Sequence, residues 1–130
     1  MAALLAAAFT IAGLVFSENP GGTVFFIDGQ AYDPATINFR AKLGTVEQWT
    51  IVNHTEETHP FHLHTYPMQL ISVKRRPRRV RRRSGRDRAA APRLRGHAGR
   101  STGFTGETVT HCHILAHEDA GMMANILVTR

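Results

Sequence analysis

Cysteine is nearly absent: the chain has 130 residues and a single thiol, Cys112. That excludes an internal disulfide framework, so a domain of this length must rest on a packed core. With 42% hydrophobic residues the chain can supply one. Long apolar runs are missing as well. The longest, residues 2–16 interrupted by Thr10 and Gly13, is too short to span a bilayer comfortably. It has the length of a signal h-region, yet no Lys or Arg precedes it and no clear cleavage site follows. The reading is an apolar leader or a false start over 1–14, with the domain over 15–130. Helical periodicity is lacking beyond those first residues. Short β-rich runs take its place at 23–27, 37–39, 45–52, 69–73, 108–114 and 124–128, punctuated by turn signals such as Asp28-Gly29-Gln30. Several short strands with turns between them predict an all-β Greek-key sandwich or barrel.

Acidic residues are scarce in one place. Residues 74–100 hold 13 of the 16 Lys and Arg and one acid, Asp87, so the rest of the chain is net acidic although the formal total is +6. The segment also lacks aromatics, Ile and Met, and Arg, Ala, Pro and Gly make up most of it. This composition predicts no half-buried strand, and hence a barrel disrupted over 74–102. Three readings compete. A basic tract can bind nucleic acid or anionic surfaces, but no aromatics are interleaved for base stacking and the tract sits inside a domain. A solvated insertion is the second. The third, preferred, is a frameshift in the gene record, because these four residue types have codons that can consist wholly of G and C.

What the chain does have is histidine, and in two places. One stretch reads His59-Pro60-Phe61-His62-Leu63-His64. The other reads His111-Cys112-His113-Ile114-Leu115-Ala116-His117, followed by Gly121-Met122-Met123. Six of the eight histidines and the only cysteine lie there, which sets His54 and His97 apart as surface residues. Imidazole and thiolate bind soft or borderline transition metals. Two His, one Cys and a weak axial Met form the ligand set of a blue-copper electron-transfer site. Cys112, His117 and Met122 have that spacing, and His59 can arrive from another strand. Zinc is the alternative occupant, but it favours closed tetrahedral sets, and Met122 argues for copper. If 110–114 is a strand, His111 and His113 share one face and Cys112 takes the other. His62 and His64 would share a face in the same way. Met123 reads as core packing, and Asn53-His54-Thr55 matches a glycosylation sequon too common to weigh.

These motifs, H-P-x-H-L-H and H-C-H-x3-H-x3-G-M, resemble those of the C-terminal cupredoxin domain of multicopper oxidases, the laccase-like enzymes. The resemblance runs over about 15–73 and 104–128. It implies a cupredoxin fold with copper as cofactor. It makes His59, Cys112 and His117 type 1 ligands with Met122 axial, His62 a type 2 ligand, and His64, His111 and His113 type 3 ligands. Glu118 resembles an acidic residue that relays protons during O2 reduction, and Cys112 carries electrons to its flanking histidines. The implied reaction couples one-electron oxidation of phenols, aromatic amines or low-valent metal ions to reduction of O2 to water. The implied partners are that reductant, O2 and N-terminal cupredoxin domains, since the only H-x-H pairs here are His62/His64 and His111/His113. The implied home is periplasmic or extracellular. In the family, residues near 74 form an Asn-Gly turn and further strands. The alternatives are a single-copper electron-transfer module and an inactive fragment.

Overall fold

The computed structural model describes the backbone of residues 9–66, 68–74, 93–98 and 104–130, and side chains of 13–66 and 104–130. Nine strands and one short helix occupy them: β1 Phe9–Glu18, β2 Phe25–Ile27, β3 Phe39–Lys42, β4 Val46–Asn53, β5 Phe61–Leu63, β6 Met68–Lys74, β7 Arg93–Ala98, β8 Gly106–Cys112, α1 Leu115–Asp119 and β9 Met123–Thr129. They form two sheets, one ordered β2-β1-β4-β7-β6 and the other β3-β9-β8-β5. The all-β class is as expected. Parallel pairs (β1 with β4, β3 with β9) sit among antiparallel ones, so the chain crosses between sheets instead of meandering within one.

The core lies between the sheets. Leu14, Phe16, Ile27, Trp49 and Ile51 come from the first sheet, and Cys112, Ala124, Ile126 and Val128 from the second. Each fully buried large side chain contributes roughly 1.5–3 kcal/mol. In β4 every second residue is buried, giving Glu47, Trp49, Ile51 and Asn53 an inward face. Both ends of that face are polar, so the strand's apolar alternation is imperfect in sequence. Glu47 accepts a bond from Trp49 Nε1 at 2.8 Å, which gives a partner to the one buried carboxylate among the described residues. Asn53 stands at the other end, where the histidines gather.

Two expectations change. The domain edge placed at residue 15 moves back to Phe9, since β1 pairs with β4 from Phe9↔Val46 to Phe16↔Asn53 and Leu14 lies in the core. β1 buries Leu14 and Phe16 on alternate positions, but Gly13 and Val15 between them are not polar either, so the strand reads in sequence as a plain apolar run, like an h-region. The segment 74–102, predicted to be without a strand, contains one. β7 pairs antiparallel with both β4 and β6, and Lys74 belongs to β6. Ladder bonds use only backbone groups, so composition alone does not exclude a strand whose partners are already in place. Residues 75–92 and 99–103 of the anomalous stretch lie outside the described residues. Among the described residues no helix is long and apolar enough to cross a membrane.

Candidate metal centre

The end of the sandwich where β4 and β8 finish gathers the first cluster. β4 stops at Asn53, and the loop that follows brings in His59. Cys112 is the last residue of β8. The chain then makes the single turn of α1, in which His117 N–H donates to Ile114 O at 3.0 Å, and this swings His117 back over Cys112. Gly121 closes the turn with φ of +112°, a conformation costly for any residue with a Cβ. Met122 is fully buried. Its N–H donates to His117 O at 2.9 Å, and its carbonyl accepts from Cys112 N–H at 3.1 Å, so its backbone is tied to both neighbours.

Three donor atoms converge. Cys112 Sγ lies 3.5 Å from His59 Nδ1 and 3.8 Å from His117 Nδ1, and the two nitrogens are 3.1 Å apart. A point equidistant from atoms spaced this way is about 2.0 Å from each, close to the bond lengths of imidazole and thiolate to first-row metals. The far nitrogens are occupied. His59 Nε2 is 2.7 Å from Thr55 Oγ1, and His117 Nε2 is 3.3 Å from Glu57 Oε2. Partners on Nε2 leave Nδ1 as the ligating atom, the usual outer-shell arrangement of metal-binding histidine. Aromatic rings pack around the trio. Phe25 stacks on His117 with centroids 4.1 Å apart, and Phe16 meets His59 edge-on at 5.6 Å.

Electrostatics fit an ion here. Burial, then the neighbouring His117, depress His59 to about 4 against a small opposing pull from Glu57. Burial pushes the Cys112 thiol up, with smaller contributions from Glu118 and Glu57 against one lowering backbone bond. Without a cation the pocket therefore favours neutral imidazole and thiol. A soft cation draws the proton off sulfur and binds the thiolate. Two nitrogens and one thiolate, with a buried thioether residue on the adjoining turn, fit copper.

The second cluster lies on the opposite side of Cys112. Nitrogens of His62, His64 and His111 all lie within 4.8 Å of one another. His64 Nε2 and His111 Nε2 approach to 2.8 Å. His111 Nδ1 faces two acceptors, Cys112 O at 2.8 Å and Glu118 Oε2 at 3.2 Å, which leaves its Nε2 lone pair turned toward His64. His113 stands beside the trio, its ring 5.1 Å from His62 and 5.6 Å from His111. Burial foremost, then the crowding histidines, hold His62 below the usual imidazole range, with Glu118 opposing. His62, His64 and His113 are exposed, so this face is open.

All eight candidate ligands thus fall at one end of the sandwich: His59, Cys112 and His117 together, Met122 against them, and His62, His64, His111 and His113 across the strand. Glu118 meets His111. His54 is exposed and apart. β8 ends at Cys112, yet the expected division of faces holds, because His113 N–H still donates across to Pro60 O at 2.9 Å. Sequence reasoning missed Thr55, Glu57, Phe25 and α1. A five-residue helix is too short to show a period, and no spacing rule marks the acceptors on a histidine's far nitrogen. The only signal was a polar residue, Asn53, on the buried face of β4.

Known proteins give the family. A family model for multicopper oxidases matches residues 8–130. The multicopper oxidase mco of Staphylococcus aureus is 34% identical over 109 residues, covering 80% of this chain and 24% of that protein. A laccase of Bacillus subtilis strain 168 is 33% identical over 118 residues, covering 75% of this chain and 23% of its own length. Among solved structures, a multicopper oxidase from Campylobacter jejuni, described as a metallo-oxidase, superposes with a TM-score of 0.69 at 29% identity over 94% of this chain and 30% of that one. The McoA multicopper oxidase of Aquifex aeolicus superposes at 0.74 over 96% of this chain and 30% of its own, with 24% identity, a likeness of fold. The chain spans about a quarter of the length of the curated relatives.

Proposed function

The chain belongs to the multicopper oxidase family, laccase-like, and on that premise we propose that it is the copper-binding C-terminal domain of such an enzyme. The observation that carries this reading is the His59–Cys112–His117 triangle, with Nδ1 of both imidazoles facing sulfur and a polar partner on each Nε2. In this reading the three would hold the type 1 copper, with Met122 as a further, weaker ligand. His62, His64, His111 and His113 supply part of a type 2/type 3 cluster. Copper, when bound, supplies one-electron redox chemistry between a phenolic, aromatic-amine or metal-ion reductant and O2, which ends as water.

The chain's own residues prepare that chemistry. His59 is buried and His117 less so, which makes the His117 edge, flanked by exposed Glu57, the side from which a reductant approaches. Phe25 and Phe16 keep water from the donor triangle. Cys112 is bonded through the backbone to both His111 and His113, a short covalent path between the clusters. Glu118 Oε2 is positioned to hold a proton at His111 Nδ1 and release it beside the second cluster. The exposed face formed by His62, His64 and His113 is where N-terminal cupredoxin domains would dock and complete the cluster. We place the protein in the periplasm or outside the cell.

The test is copper loading followed by two readings, visible absorption and O2 consumption with a phenolic donor. This chain gives intense Cu(II)–thiolate absorption. A longer protein that includes domains bearing further H-x-H motifs also consumes O2. Copper uptake without thiolate absorption would remove Cys112 from the site and overturn the reading. The second reading, a single-copper electron-transfer module, is favoured by one observation: the first ligand set is complete within the described residues. It gains if the protein isolated from its source carries one copper per chain and no O2 turnover.

A further inference from the structure

Two buried polar side chains, Asn53 and the His59 partner Thr55, stand beside the first cluster. Asn53 and Thr55 are each 8% exposed. Their hydrogen bonds form a closed set. Asn53 Oδ1 accepts the Thr55 N–H at 2.8 Å, and Asn53 Nδ2 donates to Glu57 O at 2.7 Å. Each partner can act in only one sense, so the orientation of the amide is fixed. The Thr55 hydroxyl then has two oxygens that can only accept, Asn53 Oδ1 at 2.8 Å and Glu57 O at 3.1 Å. It also receives the Glu57 N–H at 3.3 Å. Two oxygens that can only accept compete with one ring nitrogen for the hydroxyl proton, and we assign that proton to an oxygen. What it offers His59 Nε2, 2.7 Å away, is a lone pair. With that lone pair facing it, Nε2 carries the hydrogen of the neutral ring, and Nδ1 keeps a free pair toward Cys112 Sγ, 3.5 Å off. Any hydrogen shared with His117 Nδ1, 3.1 Å away, comes from His117.

We propose that Asn53 and Thr55 are positioning residues that lock His59 in the Nε2–H tautomer, so that its Nδ1 lone pair points at the metal before any metal arrives. The inference rests on the copper-binding reading for its purpose, though not for its geometry. Asn53 acts one step removed: it takes the hydroxyl proton and makes Thr55 an acceptor. The lock draws its rigidity from β4, since Asn53 is the strand's last residue and is paired with Phe16. His117 has a weaker counterpart, because Glu57 is exposed and its contact is longer.

Nitrogen-15 NMR of the metal-free wild-type chain tests the lock without copper. The expected result is a His59 ring protonated on Nε2, and a ring protonated on Nδ1 overturns the proposal. Thr55→Val keeps the shape and removes the oxygen. It should mix the tautomers and lower Cu(I) affinity, read against a competing chelator, by about 10–100-fold, as loss of an outer-shell partner does. Thr55→Ser should restore both. A merely structural Thr55 would lower the unfolding midpoint in the Val variant while leaving tautomer and affinity unchanged, and that outcome also overturns the proposal. If Thr55→Val does not fold, the wild-type tautomer decides alone. If the wild-type chain binds no Cu(I), the copper reading fails while the tautomer still decides the lock.

Discussion

Gly121→Ala is the change for which the structure gives the firmest magnitude. Gly121 separates His117 from Met122 and has φ of +112°, which an L-residue occupies at a cost of roughly 1–3 kcal/mol. A Cβ there would also lie 2.8 Å from Phe25 O and 3.1 Å from Ala31 Cβ. The first of these is backbone and cannot rotate away, so relief requires movement of the β2 edge or of residue 121 itself. Forced overpacking adds about 1–3 kcal/mol, for a total of about 2–6 kcal/mol. Two other glycines separate the contributions. Gly29 has φ of +76° with nothing within 4 Å, so Gly29→Ala isolates the backbone cost, roughly 1–3 kcal/mol. Gly13 has ordinary φ and only Thr50 O at 3.6 Å, so Gly13→Ala should be neutral or stabilising by about 0.5–1 kcal/mol. Urea unfolding of the metal-free chain gives all three differences. Copper affinity should fall for Gly121→Ala alone, because the displaced atoms adjoin Phe25, which stacks on His117, and Met122, which is bonded to Cys112. If Gly121→Ala costs no more than Gly29→Ala, the close approach to Phe25 is not a constraint and the reasoning fails.

Cys112→Ser should abolish the Cu(II)–thiolate absorption while copper still binds the histidines. Retention of that band, read by visible spectroscopy, would contradict the assignment of sulfur as a ligand. Glu47 is held above the ordinary carboxylate range, first by burial and against the bond from Trp49. A raised acid contributes its stability when protonated and loses it as pH rises through the folded value. Glu47→Gln should therefore be the more stable form at neutral pH, with the gap closing as pH falls through the carboxylate range. Thermal unfolding at several pH values reads this, and a gap that widens in acid refutes it. Trp49→Phe removes the donor to that buried carboxylate and adds about 1–3 kcal/mol of unmet desolvation to the packing loss. The same unfolding scans would show it, and the loss should shrink in Glu47→Gln, whose amide loses less when unpaired. Glu118→Gln keeps the contact to His111 but not the proton. In the full-length enzyme it should slow O2 consumption by about 100-fold or more at unchanged copper content, the scale of a lost acid–base group. Unaltered turnover would leave Glu118 without that role.

The candidate ligands could be picked out of the sequence because most of them are local. Cys112, His117 and Met122 are joined by one turn of helix and one glycine turn, so their spacing is nearly their geometry. His62 and His64 share a face by alternation, as expected, and the β5–β8 pairing, Phe61↔Cys112 and His62↔His111, then sets that face against His111 and the neighbouring His113. The strands were legible where polar and apolar residues alternate. They were not where composition overrode pattern: β5 has three residues, β7 is built from basic and small ones, and β1 looked like a leader.

What the sequence withheld is the state of the ligands, which depends on atoms that follow no spacing rule. Asn53-His54-Thr55 shows why. As a string it is a glycosylation sequon, with Asn53 Nδ2 as the atom to be modified. In the fold that nitrogen is buried and already donates to Glu57 O, and the threonine hydroxyl meets His59. The same three letters describe a surface acceptor or a buried proton lock. The choice between them is made by β4, which carries Asn53 inward on the same alternation that buries Trp49 and Ile51. A motif therefore names which atoms can bind a metal. The strand face on which its neighbours fall decides which of those atoms has a lone pair free to do so.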